Sequence, residues 1–184
     1  MRIIAGEARG RVIEAPAGSN TRPTLDRVRE NLFNMIQGEV PGSRVLDLFA
    51  GSGALSLEAL SRGASYAVLT DHDRTACAVQ KRNIGRLHYE EYTRQYQCDW
   101  RAALKELQGK GEKFDLVFLD PPYSMLDLRD VFSSLITVIL HDSLIILEHE
   151  AKIAPVVTEQ FTAVKSRAWG FCAVTIYRLI PEGG

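Results

Sequence analysis

Between Arg44 and Leu55 the chain reads RVLDLFAGSGAL, and no other stretch narrows the possible folds as much. Val45, Leu46 and Leu48 form an apolar run without helical period, which predicts a central parallel strand covered on both faces. Asp47 stands near its carboxyl end, where open α/β sheets place their ligands. Ala50, Gly51, Ser52 and Gly53 then strip away side-chain bulk, so the backbone can turn tightly and come close to a ligand. Leu55, Ala59 and Leu60 continue as one face of a helix ending near Gly63. A strand, a small-residue turn and a helix start in twelve residues read as a nucleotide-type cofactor pocket. The spacing departs from G-x-G-x-x-G, with Phe49, Gly51 and Gly53 in series and Leu55 and Ser56 where a further glycine belongs. That weakens the case for NAD and leaves open a plain strand-to-helix turn that binds nothing.

From Arg44 onward strands and helices alternate, which predicts βαβ units and a parallel sheet. The expected strands are Ala67 to Thr70, ending at Asp71, then Tyr92 to Cys98, Leu116 to Leu119 and Leu144 to Leu147, the last ending at Glu148. Helices are expected from about Asp73 to Leu87, Trp100 to Leu107 and Leu128 to Leu140. Phe161 to Ser166 and Phe171 to Arg178 alternate apolar and polar around Trp169-Gly170, as an antiparallel hairpin does. At the other end, Arg2 to Ala5 and Arg11 to Glu14 read as a hairpin whose turn is bounded by Gly6 and Gly10. After a loop over Ala17 to Asn20, Thr24 reads as an N-cap. Leu25, Val28, Leu32 and Met35 recur at helical spacing, and Gly38 is placed to close that helix. Its other face would show Arg27 and Arg29. No linker or repeat breaks the pattern, so the expectation is a single domain over 1–184, with a hairpin extension over 1–20 and a core over 44–184.

With 46% hydrophobic and 24% charged residues the composition is that of an ordinary globular chain, and no apolar run spans a bilayer. The amino end MRIIAGEARGR lacks a secretory apolar core, so a cytoplasmic location is expected. Cys77, Cys98 and Cys172 are far apart and show no metal-ligand spacing, which makes them reduced packing residues and predicts no metal. A net charge of −1 excludes a wholesale electrostatic commitment to nucleic acid. Locally the balance differs: Arg2 to Arg29 holds six arginines against three acids. Arginine suits bidentate phosphate contacts, so this segment is either a solvated surface or a phosphate footprint, with Arg9 and Arg11 on an exposed arm.

Asp71 lies 20 residues beyond Gly51 at the end of the next strand, where a carboxylate can accept from both hydroxyls of a ribose. Capping the following helix is the other reading, and Asp73 can take that role while Asp71 holds the ligand. Asp99 can accept from an adenine amino group with Trp100 beside the ring, or simply cap and pack. The discriminating element is Asp120-Pro121-Pro122-Tyr123. Two prolines remove two backbone donors and hold the chain extended, leaving carbonyl oxygens outward. A carboxylate, a free carbonyl and an aromatic face suit a planar base bearing an exocyclic amine: Asp120 and the Pro121 carbonyl accept its two N–H groups and Tyr123 stacks.

Asp-Pro-Pro-Tyr after a glycine-turn α/β half resembles the S-adenosylmethionine-dependent amino methyltransferases. RIIAGEARGR, TRPTLDRVRENLFN, LDLFAGSGALSLEALSRGA, LDPPY and WGFCAVTIYRL together resemble the RsmD family more narrowly, over nearly the whole chain. The resemblance implies a Rossmann-like class I methyltransferase fold. That fold is α/β, with a mostly parallel seven-stranded sheet, an antiparallel C-terminal hairpin and a small N-terminal β-hairpin. It implies transfer of a methyl group from S-adenosyl-L-methionine to the N2 amine of one guanine of bacterial 16S ribosomal RNA, position 966. The substrate would be that RNA or the small ribosomal subunit, and the protein a monomer. Residue by residue, the methionine end of the cofactor would lie over Asp47, Phe49, Ala50, Gly51 and Gly53, its ribose at Asp71 and its adenine near Asp99 and Trp100. The target amine would meet Asp120, Pro121, Pro122 and Tyr123. Arg22, Pro23 and Thr24 would border cofactor and incoming nucleotide, and Arg9 and Arg11 would grip phosphates. Asp120 would accept a hydrogen bond from the amine or take its proton, and the base would be unpaired or flipped out.

Three rivals remain at this level: an adenine-N6 methyltransferase on DNA or RNA, a nicotinamide-dependent oxidoreductase, and a non-catalytic RNA-binding module on the same fold.

Overall fold

The computed structural model describes residues 1–15, 23–122, 125, 127–154 and 156–180, the side chains of residues 23–25 excepted. Its centre is one sheet in the order β3-β2-β1-β4-β5-β7-β6. The strands are β1 (Arg44–Asp47), β2 (Tyr66–Asp71), β3 (Thr93–Gln97), β4 (Phe114–Leu119), β5 (Ile139–Glu150), β6 (Phe161–Trp169) and β7 (Cys172–Leu179). The first five run parallel, while β7 pairs antiparallel with both β5 and β6. The order reverses between β1 and β4, and the crevice outside their carboxyl ends is where such sheets bind ligands.

Among the described residues five α-helices flank the sheet: α1 (Pro23–Met35), α2 (Ala54–Ser61), α3 (Arg74–Leu87), α4 (Trp100–Gly109) and α5 (Arg129–Leu135). Successive strand residues serve opposite layers. Val45, Leu69, Leu116, Phe118 and Ile146 pack with α1, α2 and α3. Leu46, Val68, Val117, Leu119 and Ile145 pack with α4 and α5. Burial on both faces explains why these strands read as mostly apolar runs rather than alternating ones.

The amino-terminal hairpin survives only in outline. Residues Arg2 and Val12 form a single antiparallel bridge, and Gly10 N–H donates to Ile3 O at 2.8 Å across a turn between Gly6 and Gly10. Its two halves also bond to each other, Ile3 N–H donating to Arg11 O and Ile13 N–H to Met1 O, both at 3.0 Å, and the arm is bound to α2 as well. Ile4 and Ala5 N–H donate to the Glu58 carboxylate at 2.8 and 3.0 Å, and Ala8 N–H to Ser61 Oγ at 3.0 Å. Glu58 is fully buried, paired with Arg62 at 2.8 Å and with Arg29 at 3.8 Å. Arg29 is therefore interior, donating also to Arg2 O at 2.6 Å, contrary to the expectation that it lines an exposed face. Arg27 is exposed, as expected.

Three boundaries also move. Helix α1 starts at Pro23, so Thr24 falls inside the first turn rather than at the cap, and it ends at Met35 without a left-handed Gly38. Helix α5 stops at Leu135 because Ile139 already pairs with Phe114 on β4, with Ser143 Oγ donating to Phe114 O at 2.7 Å across the register shift. Tyr92, expected to open the third strand, instead closes a 3₁₀ turn over Glu90–Tyr92, and the strand begins at Thr93. Gly63 does adopt the positive φ of a C′ residue, 98°.

Candidate active site

The turn after β1 is held from three sides. Gly51 has φ 52° and Gly53 φ 80°, the latter at the N-cap of α2. Asp71, at the end of β2, accepts from Gly51 N–H through Oδ2 at 2.9 Å and from Asp73 N–H through Oδ1 at 2.9 Å. Helix α3 reaches back with two buried amides. Gln80 Nε2 donates to Gly51 O at 3.0 Å, and Asn83 Nδ2 to Ser52 O at 3.0 Å. Asn83 also exchanges hydrogen bonds with the Glu14 backbone, at 2.7 and 2.9 Å, which joins the arm to the same turn. Asp73 caps α3 by accepting from Ala76 N–H at 2.7 Å.

Below the turn, Asp47 is buried and accepts from Ser56 Oγ at 2.9 Å, while its Oδ1 has no partner among the described residues. Burial pushes this carboxyl up from 3.8 to about 7, with the Asp71 charge adding to the rise and the Ser56 hydrogen bonds opposing it.

On the β2–β3 side a cavity of about 140 Å³ is lined by Leu48, Phe49, Asp71, Cys98, Asp99, Trp100 and Pro122, among others. Asp99 caps α4, accepting from Arg101 N–H at 2.9 Å, and is exposed to this cavity. Capping and cavity lining thus coexist in one residue. Trp100 is buried, with Nε1 unpartnered among the described residues, and the Arg101 guanidinium lies 4.2 Å from its ring centre. A Cβ built on Gly51 would meet nothing within 4 Å. These features fit S-adenosylmethionine: open space against a positive-φ glycine, carboxylates for hydroxyl and amino donors, and aromatic walls for a purine.

On the β4–β5 side Asp120, Pro121 and Pro122 leave the sheet at the end of β4. A second cavity, about 540 Å³, is lined by Pro121, Pro122, Met125, Leu147, Glu148, Ile153 and Val157, among others. Pro122 and Met125 line both cavities, which therefore share a wall. Leu119 on β4 pairs with Leu147 on β5, so Asp120 and Glu148 are the next pair outward in register. The Asp120 carboxyl is raised well above its usual range by the protein mass around the crevice, then by the charges of Glu148 and Asp47. Its side chain is nonetheless open to solvent, which softens the effect of burial and leaves like-charge repulsion as the persistent cause. Glu148 is raised by its own burial, which the Cys172 thiol opposes by donating to Oε1 at 3.2 Å.

The crevice thus gathers Asp47, Phe49, Ala50, Gly51, Gly53, Asp71, Asp99, Trp100, Asp120, Pro121 and Pro122. It does not gather Arg9 and Arg11, which are exposed on the arm, Arg11 Nη1 donating to Arg86 O at 3.4 Å beside α3. Arg22 and Tyr123 lie outside the described residues, and Pro23 and Thr24 are described only in their helical backbone. Gln80 and Asn83 escaped the sequence reading; the one signal for them was two polar residues three apart on the apolar face of α3. Among the described residues no cluster of three His, Cys, Asp or Glu is placed to hold a metal, and no helix is long and apolar enough to cross a membrane.

Comparison with known proteins places this geometry. The Bacillus subtilis protein YlbH, named as a candidate rRNA methyltransferase, is 35% identical over 97% of this chain and 98% of its own. Ribosomal RNA small subunit methyltransferase D of Escherichia coli K12 is 34% identical over 100% of this chain and 92% of its own. The solved Escherichia coli protein yhhF superposes with a TM-score of 0.83 at 32% identity, covering 97% of each chain. The family model described as conserved hypothetical protein 95 matches residues 1–178, and with these relatives it establishes that the chain belongs to the RsmD family of methyltransferases.

Proposed function

We propose that this protein transfers a methyl group from S-adenosylmethionine to the exocyclic N2 amine of a guanine in bacterial 16S ribosomal RNA. One observation carries the reading. At the carboxyl ends of the paired strands β1 and β4, a glycine turn with free space before Gly51 meets an Asp120-Pro121-Pro122 loop that lacks two backbone donors. The names of the full-length relatives, one a ribosomal RNA small subunit methyltransferase and one a candidate rRNA methyltransferase, supply the substrate class.

Bound against the turn, S-adenosylmethionine supplies an electrophilic methyl group on a sulfonium. The chain's own residues do the rest. Asp71 and Asp99 accept from the donors of the adenosine half, and the Gln80 and Asn83 amides keep the turn from opening. Asp120 accepts from the target N2–H. The amine lone pair is delocalised into the purine ring, so acceptors on its hydrogens favour the pyramidal geometry that attack requires. Orientation in a fixed crevice contributes the remaining large share. Because charge on Glu148 and Asp47 raises its pKa, Asp120 is also suited to receive the proton that the methylated amine loses. Arg9 and Arg11 lie on a different surface, where exposed guanidinium groups can contact phosphates without touching the reacting base.

The test is to incubate the purified protein with labelled S-adenosylmethionine and small-subunit RNA lacking the modification, both naked and assembled, and to identify the labelled nucleoside by mass spectrometry. N2-methylguanosine is expected, and N6-methyladenosine would overturn the guanine reading. Asp120→Ala should abolish transfer while cofactor affinity stays within a few-fold; parallel loss of both would make Asp120 a cofactor or structural residue.

A further inference from the structure

We propose that Glu148 is the residue that selects guanine, by accepting a hydrogen bond from its N1–H while Asp120 holds the N2 amine. The inference rests on the function proposed above and extends it from the amine to the identity of the base.

Three observations converge on Glu148. It stands one register step beyond the Leu119–Leu147 pair, beside Asp120 on the neighbouring parallel strand, where strands are about 4.8 Å apart. It lines the cavity that Pro121 and Pro122 also line, whose other walls include Leu147, Ile153 and Val157. Its Oε1 is engaged by the Cys172 thiol at 3.2 Å, whereas Oε2 has no hydrogen-bond partner among the described residues. Cys172 thereby fixes one oxygen and leaves the other for a ligand.

Two carboxylate acceptors side by side at neighbouring strand ends suit one base edge. Guanine presents N2–H and N1–H as adjacent donors on its Watson–Crick edge. Adenine beside N6, and cytosine beside N4, present a ring nitrogen with a lone pair at the corresponding place. An ionised carboxylate accepts and cannot donate, so it pairs with N1–H of guanine and repels the lone pair of the others. Asp120 and the diproline serve any exocyclic amine; the second carboxylate makes the crevice choose. Discrimination built on a polar group that the wrong ligand leaves unpaired is the strong kind.

The probe is 2-aminopurine, which keeps the N2 amine but carries a lone pair at N1. The full-length protein is given small-subunit RNA, reconstituted into particles, with either guanine or 2-aminopurine at the modified position, and methyl transfer to each is measured. Wild type should favour guanine by roughly tenfold to a hundredfold, the range expected for one hydrogen bond to a charged acceptor. Glu148→Gln presents an amide that both donates and accepts, so the preference should shrink to within about threefold while cofactor affinity and melting temperature hold. Equal wild-type transfer to the two RNAs, or an unchanged preference in Glu148→Gln, overturns this inference alone. Transfer to neither RNA overturns the guanine-N2 function and this inference with it.

Discussion

Gly51 and Gly53 sit two residues apart in one turn with similar positive φ, yet alanine at each should fail in opposite ways. A left-handed backbone costs a non-glycine residue about 1–2 kcal/mol, partly offset by the reduced entropy of the unfolded chain. At Gly51 the added Cβ meets nothing within 4 Å, so the net cost of Gly51→Ala should stay near 1 kcal/mol. At Gly53 the same Cβ would stand 2.8 Å from Leu69 Cδ2, with Gln80 Cγ and Leu57 Cδ1 at 3.6 Å. Leu69 is fully buried, so it can yield only by disturbing the core, and overpacking of this kind costs about 1–3 kcal/mol. Gly53→Ala should therefore lose about 3 kcal/mol in all. For a domain of this size those losses correspond to roughly 3 °C and roughly 10 °C in Tm. Calorimetric titration with S-adenosylmethionine then separates the roles. Gly51→Ala, nearly as stable as wild type, should lose at least about tenfold in affinity, because only a ligand can occupy the space its methyl enters. Equal melting temperatures for the two variants would refute the packing argument, and an unchanged affinity in Gly51→Ala would remove the cofactor from that space.

The Asp47 carboxyl, at about 7 when folded against 3.8 in the open chain, keeps its proton in the folded state through a window where the unfolded state has lost it. Stability should therefore fall as pH rises from about 4 to about 7, and the slope of urea midpoint against pH should flatten in Asp47→Asn; an identical slope would mean that Asp47 titrates normally. Glu58→Ala leaves Arg29 without its buried partner and strands the Ile4 and Ala5 N–H groups, a loss of about 3–5 kcal/mol that should appear as rapid hydrogen exchange of those two amides. Protection equal to wild type would show that the arm is held elsewhere. Arg9→Ala and Arg11→Ala should weaken RNA binding about equally across sequences and lower the salt slope by about one unit each, whereas an unchanged slope would take the arm out of the footprint.

The parallel half of the fold was legible because a strand buried on both faces must write its burial as a mostly apolar run, as Leu116 to Leu119 do and as Val45 to Leu48 do apart from Asp47. The glycine turn after β1 was legible because Gly51, Gly53 and Asp71 follow from backbone geometry and spacing alone. What stayed hidden depends on partners distant in sequence. Arg29 looks like a surface residue until Glu58, on another helix, supplies a buried carboxylate for it. Glu148 stood at the right strand end, but its role required Cys172 from a later strand to occupy one of its oxygens. Helix α5 was read too long because apolar residues past Leu135 suit a helix face and a buried strand equally, and only pairing of Ile139 with Phe114 decides.

The same hydrogen bonds also decide between rival cofactors more firmly than the missing third glycine did. A dinucleotide needs the backbone donors of the turn after β1 for its pyrophosphate, at the amino end of the following helix. Here Gly51 N–H is already given to the Asp71 carboxylate at 2.9 Å and Gly53 N–H to Ala50 O at 2.7 Å. The cavity beside the turn is lined by Asp71 and Asp99 with no lysine or arginine among its described lining residues, while Asp47 lies beneath and Asp120 and Glu148 flank the neighbouring cavity. Like charges repel across such a crevice, so the pyrophosphate of a dinucleotide would meet repulsive contacts with Asp71 and Asp99. A sulfonium reverses the sign of every one of them. Binding a cation also relieves the repulsion that lifts the Asp120 pKa, so cofactor binding should favour the ionised carboxylate that the incoming amine needs.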